Sequence, residues 1–176
     1  MRLRIHCRDW MAEERGGIAV GDSLSDWLTL HLAQGRPAEV AGTYEGWVTP
    51  LSLQEGVELH HHAYRLNLGP VAAYWESTLL MAEGPITATG VLEVDTYRAP
   101  PDWPRTSGVV VRMWTAHFWH VRDPVTPTLW HLESSGARYE EVSRFDAIPD
   151  RVPEPHAVRQ EVCRRVLLEV DVEPAG

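Results

Sequence analysis

Apolar and polar residues alternate with a period of two along much of the chain. Residues 2–8 place Leu3, Ile5 and Cys7 on one face and three arginines with a histidine on the other. Residues 162–172 repeat the pattern, with valines and a leucine on one face and acidic residues on the other. This period is typical of strands with one buried face. Because the outer faces carry opposite charges, we predict that the first and last strands are neighbours.

The most apolar segment is residues 108–122, GVVVRMWTAHFWHVR. Its density of β-branched and aromatic side chains predicts a long strand buried on much of both faces. Shorter strands are predicted between glycine and proline positions, at residues 24–32, 39–48, 57–68, 86–97, 129–133 and 139–145. The first of these also fits a helix. For residues 71–81 the alanines and the leucines favour a helix over a strand.

Residues 98–108, RAPPDWPRTSG, contain three prolines. A central strand does not tolerate this composition, so we predict an ordered external loop between two strands. Many short strands separated by glycine and proline predict a mainly β protein, with an antiparallel small barrel of the SH3-like or OB-like kind and little helix. We expect one β-rich domain over residues 1–176. Two fused barrels, divided near residues 84–86, are the alternative.

The formal net charge of −9 opposes nucleic-acid binding and favours a protein partner with a basic surface. All 16 basic residues are arginine, so no lysine can serve as a base or form a Schiff base. No stretch approaches the roughly 18 apolar residues of a membrane span. The N-terminal residues lack the apolar core of a signal peptide, and we therefore expect a cytoplasmic protein.

Cys7 and Cys163 are the only two thiols. Cys7 is in phase with the apolar face of its strand, whereas Cys163 is out of phase with Val162 and Val166. We therefore predict that the two side chains face different layers as buried thiols and form no disulfide.

Three short stretches carry a family resemblance. They are Asp9-Trp10 leading through Gly17 to Val20-Gly21-Asp22 and Trp27, then Ala41-Gly42-Thr43 before an aromatic strand, and Gly90-Val91-Leu92 through Pro104-Arg105-Thr106 to Gly108 and Arg112. On these residues the chain resembles an uncharacterised actinobacterial family of small proteins with a domain of unknown function. Similar sequences tend to carry two cysteines after the Asp-Trp, where this chain has residues 14–17. The resemblance implies a β-barrel and no particular activity.

Histidines suggest a transition-metal site. His60 and His62 would share one face of a strand about 6–7 Å apart, and His117 and His120 would come from another strand. His131 and Glu133 lie near enough in sequence to complete such a site. The residues after His62 do not supply the carboxylate of a cupin-type site. The alternative is that these imidazoles are exposed or held by hydrogen bonds.

A second candidate site is the proline-rich loop. Trp103 lies within it, between Arg98 and Arg105, where an aromatic residue either packs against the barrel end or anchors a partner, and the arginines could bind an anion. The chain has neither a nucleophile elbow nor a phosphate-binding glycine loop. We therefore predict a non-enzymatic binding or regulatory module that acts through protein contacts. The alternative is a barrel that binds a metal or small molecule and has enzymatic activity.

Nucleic-acid binding is the weakest of the three hypotheses. It would require a stripe of unpaired arginines, such as Arg2, Arg4, Arg8 and Arg164.

Overall fold

The computed structural model describes residues 1–32, 41–51, 61–95, 100, 102–126, 128–133, 136–146 and 157–173. Its elements in these ranges are β1 (Arg2–Arg8), α1 (Asp9–Glu14), β2 (Ile18–Ala19), β3 (Ser23–Leu32), β4 (Gly42–Pro50), β5 (His62–Leu68), β6 (Val71–Ser77), β7 (Gly84–Asp95), β8 (Thr106–Arg122), β9 (Trp130–Leu132), β10 (Arg138–Glu141), β11 (Arg144–Phe145) and β12 (Arg159–Val172). The prediction of a mainly β barrel with little helix is confirmed.

Eight strands close into a barrel within the described ranges. Around the ring they follow the order β8, β12, β1, β7, β4, β5, β6, β3 and back to β8. The contacts are antiparallel except for β1 with β7 and β3 with β6, which run parallel. β9 and β10 extend the sheet along β8, and β2 pairs separately with β11. The molecule is thus a single barrel, and the alternative of two fused barrels is wrong.

The first and last strands are neighbours, as their charges predicted. β1 pairs antiparallel with β12 over its whole length, with Leu3 opposite Val170. Arg4 lies opposite Glu169, and Arg2 forms an ion pair with that same carboxylate at 3.6 Å. The apolar faces of both strands point into the barrel. The burial of these faces and the pairing of opposite charges on the outside therefore favour the same register.

Gly90 marks the point where β7 changes partner. Before this residue β7 pairs with β4, after it with β3, and Gly90 itself lies opposite both Gly42 and Leu32. A Cβ atom at Gly90 would overlap the carbonyl oxygen of His31. Two backbones can approach this closely only where a side chain is missing.

One continuous core fills the barrel. Side chains from five of its strands are fully buried there: Ile5, Leu28, Leu66, Leu92 and Leu168. The short helix α1, which the sequence patterns did not predict, follows β1 directly and adds Met11 and Ala12 to the same core. It therefore covers the core at the end where β1 finishes.

The preference for a helix at residues 71–81 is wrong, because β6 is a strand. A turn at Gly69 joins it to β5 in an antiparallel hairpin, and its other edge pairs with β3. Burial on both faces suits Tyr74 and Trp75, which favour strands. The region 139–145 is likewise divided between β10 and β11, which belong to different sheets.

A β-bulge overturns the prediction that the two cysteines face different layers. In the pairing of β12 with β8, Cys163 lies opposite His117 while Arg165 lies opposite Ala116, so Arg164 is an extra residue. The insertion shifts the alternation by one position. Cys163 therefore joins Cys7 in the same core instead of facing another layer. Both thiols are buried and form no disulfide, as predicted.

Candidate functional site

The predicted histidine ligands are divided between separate strands. His62 belongs to β5, which pairs with β4 and β6, whereas His117 and His120 belong to β8. His60 lies outside the described residues. Among the residues that are described, no three histidine, cysteine or acidic side chains are grouped to hold a metal ion. The metal site therefore stays a prediction without an assembled ligand set.

His117 takes part in a hydrogen-bonded group on β8 and β10. Its Nε2 lies 2.9 Å from the hydroxyl of Thr115 and 3.9 Å from a carboxylate oxygen of Glu140. This arrangement fits the alternative to a metal site, in which hydrogen bonds to polar neighbours hold the imidazole.

Trp103 packs within the chain. Its indole donates a hydrogen bond to the carbonyl of Ala72 at 3.3 Å and meets Tyr74 edge-on, with 5.8 Å between ring centroids. The Arg65 guanidinium lies 5.6 Å from the indole centroid, and Trp27 donates to the Trp103 carbonyl at 2.9 Å. Because Tyr74 and Ala72 alternate with the core residues of β6, Trp103 covers the outside of the β5–β6 hairpin and not the barrel end.

Arg105 is the exposed member of the predicted loop site. Its guanidinium stacks on Trp27 at 5.0 Å and donates to the carbonyl of Ser25 at 3.3 Å. Arg98 lies outside the described residues. The role of Trp103, Arg98 and Arg105 in binding a partner remains a prediction.

The outer parts of β8 and β12, with β9, form an extension that we call the tongue, residues 118–126, 128–133 and 157–162. Beyond the barrel, β12 and β9 flank β8 on its two sides. At its end Arg122 donates a backbone hydrogen bond to Val158, and Asp123 donates one to Leu129. Val125, Val158 and Leu129 are 87%, 70% and 52% exposed there. We call these three residues the tip.

Asp123 organises the turn that carries Val125. Its carboxylate accepts hydrogen bonds from the backbone of Val125 at 2.8 Å and Thr126 at 2.7 Å, and from His131 at 2.6 Å. These donors stabilise the charged form, so the Thr126 backbone first, and His131 next, lower the pKa of Asp123. Local hydrogen bonds therefore hold the backbone that presents Val125, while Val158 accepts its backbone hydrogen bond from Arg122 on the neighbouring strand.

Two arginines stack on the tryptophans of the tongue. Arg122 lies 5.0 Å from the ring centroid of Trp130, and Arg159 lies 4.1 Å from that of Trp119. Arg159 also forms an ion pair with Glu133. Stacking covers part of the aromatic surface of the tongue, and the large apolar side chains that are exposed among its described residues are those of the tip.

Arg15 and Asp26 form an ion pair at the barrel end covered by α1. Asp26 is in phase with the core residues Leu24 and Leu28, so it faces the interior. Its carboxylate accepts a hydrogen bond from Arg15, which raises the pKa of the guanidinium, while burial opposes that rise. An acidic residue in phase with the leucines of β3 is the signal in the sequence that could have predicted this buried carboxylate.

Glu93 is a second buried carboxylate, on the outer side of β7. It is 2% exposed, accepts a hydrogen bond from Arg8 at 2.6 Å and lies 3.6 Å from the imidazole of His31. His6 lies opposite Glu93 in β1 and is equally buried, although alternation predicted a solvated position.

The stripe of unpaired arginines that nucleic-acid binding would require is partly used in ion pairs. Arg8 pairs with Glu93, and Arg2 pairs with Glu169.

Within the described residues, no helix is long and apolar enough to cross a membrane. Comparisons of the chain with protein-family models, with curated proteins and with solved structures find no match.

Proposed function

We propose that this chain is a non-enzymatic binding module that takes a protein partner at the tip of the tongue. The observation that carries the proposal is the exposure of Val125, Leu129 and Val158 on an extension held by hydrogen bonds and stacking. Exposed apolar side chains gain free energy when a partner covers them, by roughly 25 cal/mol for each Å² buried.

The partner that fits this proposal has an apolar groove with a basic rim. The chain has a formal net charge of −9, so a basic partner is attracted over long distances and meets the tip faster at low ionic strength. We also propose that the module works in the cytoplasm, because two buried cysteines that form no disulfide, Cys7 and Cys163, suit a reducing compartment.

The test compares two variants of the whole chain. One replaces Val125, Leu129 and Val158 by serine, and the matched control replaces Leu79 and Leu80, which are 68% and 79% exposed on the β6–β7 connection. Proteins captured from a lysate by immobilised wild-type chain are identified, purified and titrated against each form. We expect a partner whose affinity falls at least tenfold for the tip variant and less than twofold for the control. Equal binding by all three forms would contradict the proposal.

A further inference from the structure

Two buried oxygen atoms face the barrel interior beside each other. Within the described residues, neither Oδ2 of Asp26 nor the hydroxyl of Thr106 has a hydrogen-bond partner. Asp26 is 8% exposed and Thr106 is 2% exposed. A buried polar atom without a partner destabilises the folded state, so folded proteins rarely leave two such atoms side by side.

Strand pairing brings these atoms together. Asp26 and Thr106 lie directly opposite each other where β3 pairs with β8. Thr106 is in phase with the core residue Val110, and Asp26 with Leu28, so both side chains point inward. Directly opposed residues have Cβ atoms about 4.5–5.5 Å apart. A single polar group between the two side chains is within reach of both oxygens.

Arg15 determines the charge that such a group should have. Its guanidinium binds Oδ1 of Asp26, which leaves Oδ2 as the acceptor and makes the ion pair neutral as a whole. A cation placed beside Asp26 would also lie beside Arg15, and an anion would lie beside the carboxylate. A neutral O–H or N–H donor avoids both repulsions. The Arg15 side chain is 34% exposed, so this end of the barrel lies close to solvent.

We propose that Asp26 and Thr106 form an internal binding site for one neutral hydrogen-bonding group, which donates to Oδ2 of Asp26 and pairs with the Thr106 hydroxyl. Either an internal water molecule or the hydroxyl or amide of a small ligand has this chemistry. The site is at the end of the barrel covered by α1, apart from the tongue, so its failure and that of the proposed partner site are distinguishable.

The first test is the stability of Thr106→Val, measured by urea unfolding beside Thr106→Ser, which retains the hydroxyl. The matched control is Thr115→Val, since the hydroxyl of Thr115 has a hydrogen-bond partner in His117 at 2.9 Å. If a bound group forms a hydrogen bond with Thr106, we expect Thr106→Val to lower the folding equilibrium constant about fivefold. Thr115→Val should lower it by a similar factor, and Thr106→Ser should lower it less. A Thr106→Val protein as stable as the wild type, or more stable, would overturn the proposal, because valine would then remove an unsatisfied hydroxyl.

The second test identifies the bound group. Crystals of the wild-type chain grown in aqueous buffer, and again with methanol or formamide, are inspected for density about 3 Å from both oxygens. Density of one atom, unchanged by either compound, identifies water. Density that grows to fit formamide or methanol, with a rise in melting temperature that Thr106→Val abolishes, identifies a ligand site. No density between Asp26 and Thr106 under any condition would overturn the proposal.

Discussion

The barrel and the tongue share the same two long strands but differ in how those strands are covered. In the barrel, Val110 and Met113 of β8 are buried in the core that the ring of strands encloses, and so is Leu168 of β12. In the tongue, residues 119–122 are only half-buried. The difference shows that the same pair of strands forms a core where the ring closes around it and an accessible surface where the ring has ended. Stability should therefore depend mainly on the barrel, and binding of the proposed partner on the tongue.

The largest expected difference is between core and tip truncations. We expect Leu92→Ala, at a fully buried position of the core, to lower the free energy of unfolding by about 2–5 kcal/mol. Val125→Ala, at a position 87% exposed, should change it by less than about 0.5 kcal/mol. Urea unfolding followed by tryptophan fluorescence measures both. A tip truncation that costs as much as the core truncation would show that the tongue belongs to the core.

A smaller effect is expected at the strand junction of the barrel. Gly90→Ala should lower the free energy of unfolding by about 1–3 kcal/mol, because its methyl group would meet the backbone of His31. Gly84→Ala in the same strand is the control, since nothing lies within 4 Å of the added atom. Thermal unfolding of the two variants measures the contrast. Equal melting temperatures for the Gly90→Ala and Gly84→Ala variants would contradict this, because they would mean that β3 and β7 can move apart without loss of stability.

The smallest effect concerns the pH dependence of the tongue. Hydrogen bonds lower the pKa of folded Asp123, so this group stabilises its turn at neutral pH. The stabilisation should weaken as the pH falls below about 5 and vanish below the lowered pKa, where folded and unfolded forms are both protonated. Amide exchange at Val125 and Thr126 measures it, with Asp123→Asn as a control that lacks the transition. A transition of the same size in that variant would assign it to another group.

Parts of the fold were predictable because they depend on short-range patterns. Alternation assigned Leu3 and Ile5 to the core, and the opposite charges around Arg4 and Glu169 predicted that β1 and β12 are neighbours. The acidic Asp26 at a core position was equally readable, since its phase is that of Leu24. The exposed tip could not be predicted from the sequence, because its exposure depends on where the neighbouring strands end.

What the amino-acid sequence determined by itself was strand content, the inward face of most strands and the charge of their outer faces, since these follow from side chains two positions apart. The tertiary structure alone decided that residues 71–77 form a strand, that an extra residue at Arg164 turns Cys163 inward, and that His6 is buried beside Glu93. Each of these depends on pairing with segments distant along the chain, and no local alternation of residues records which segments those are.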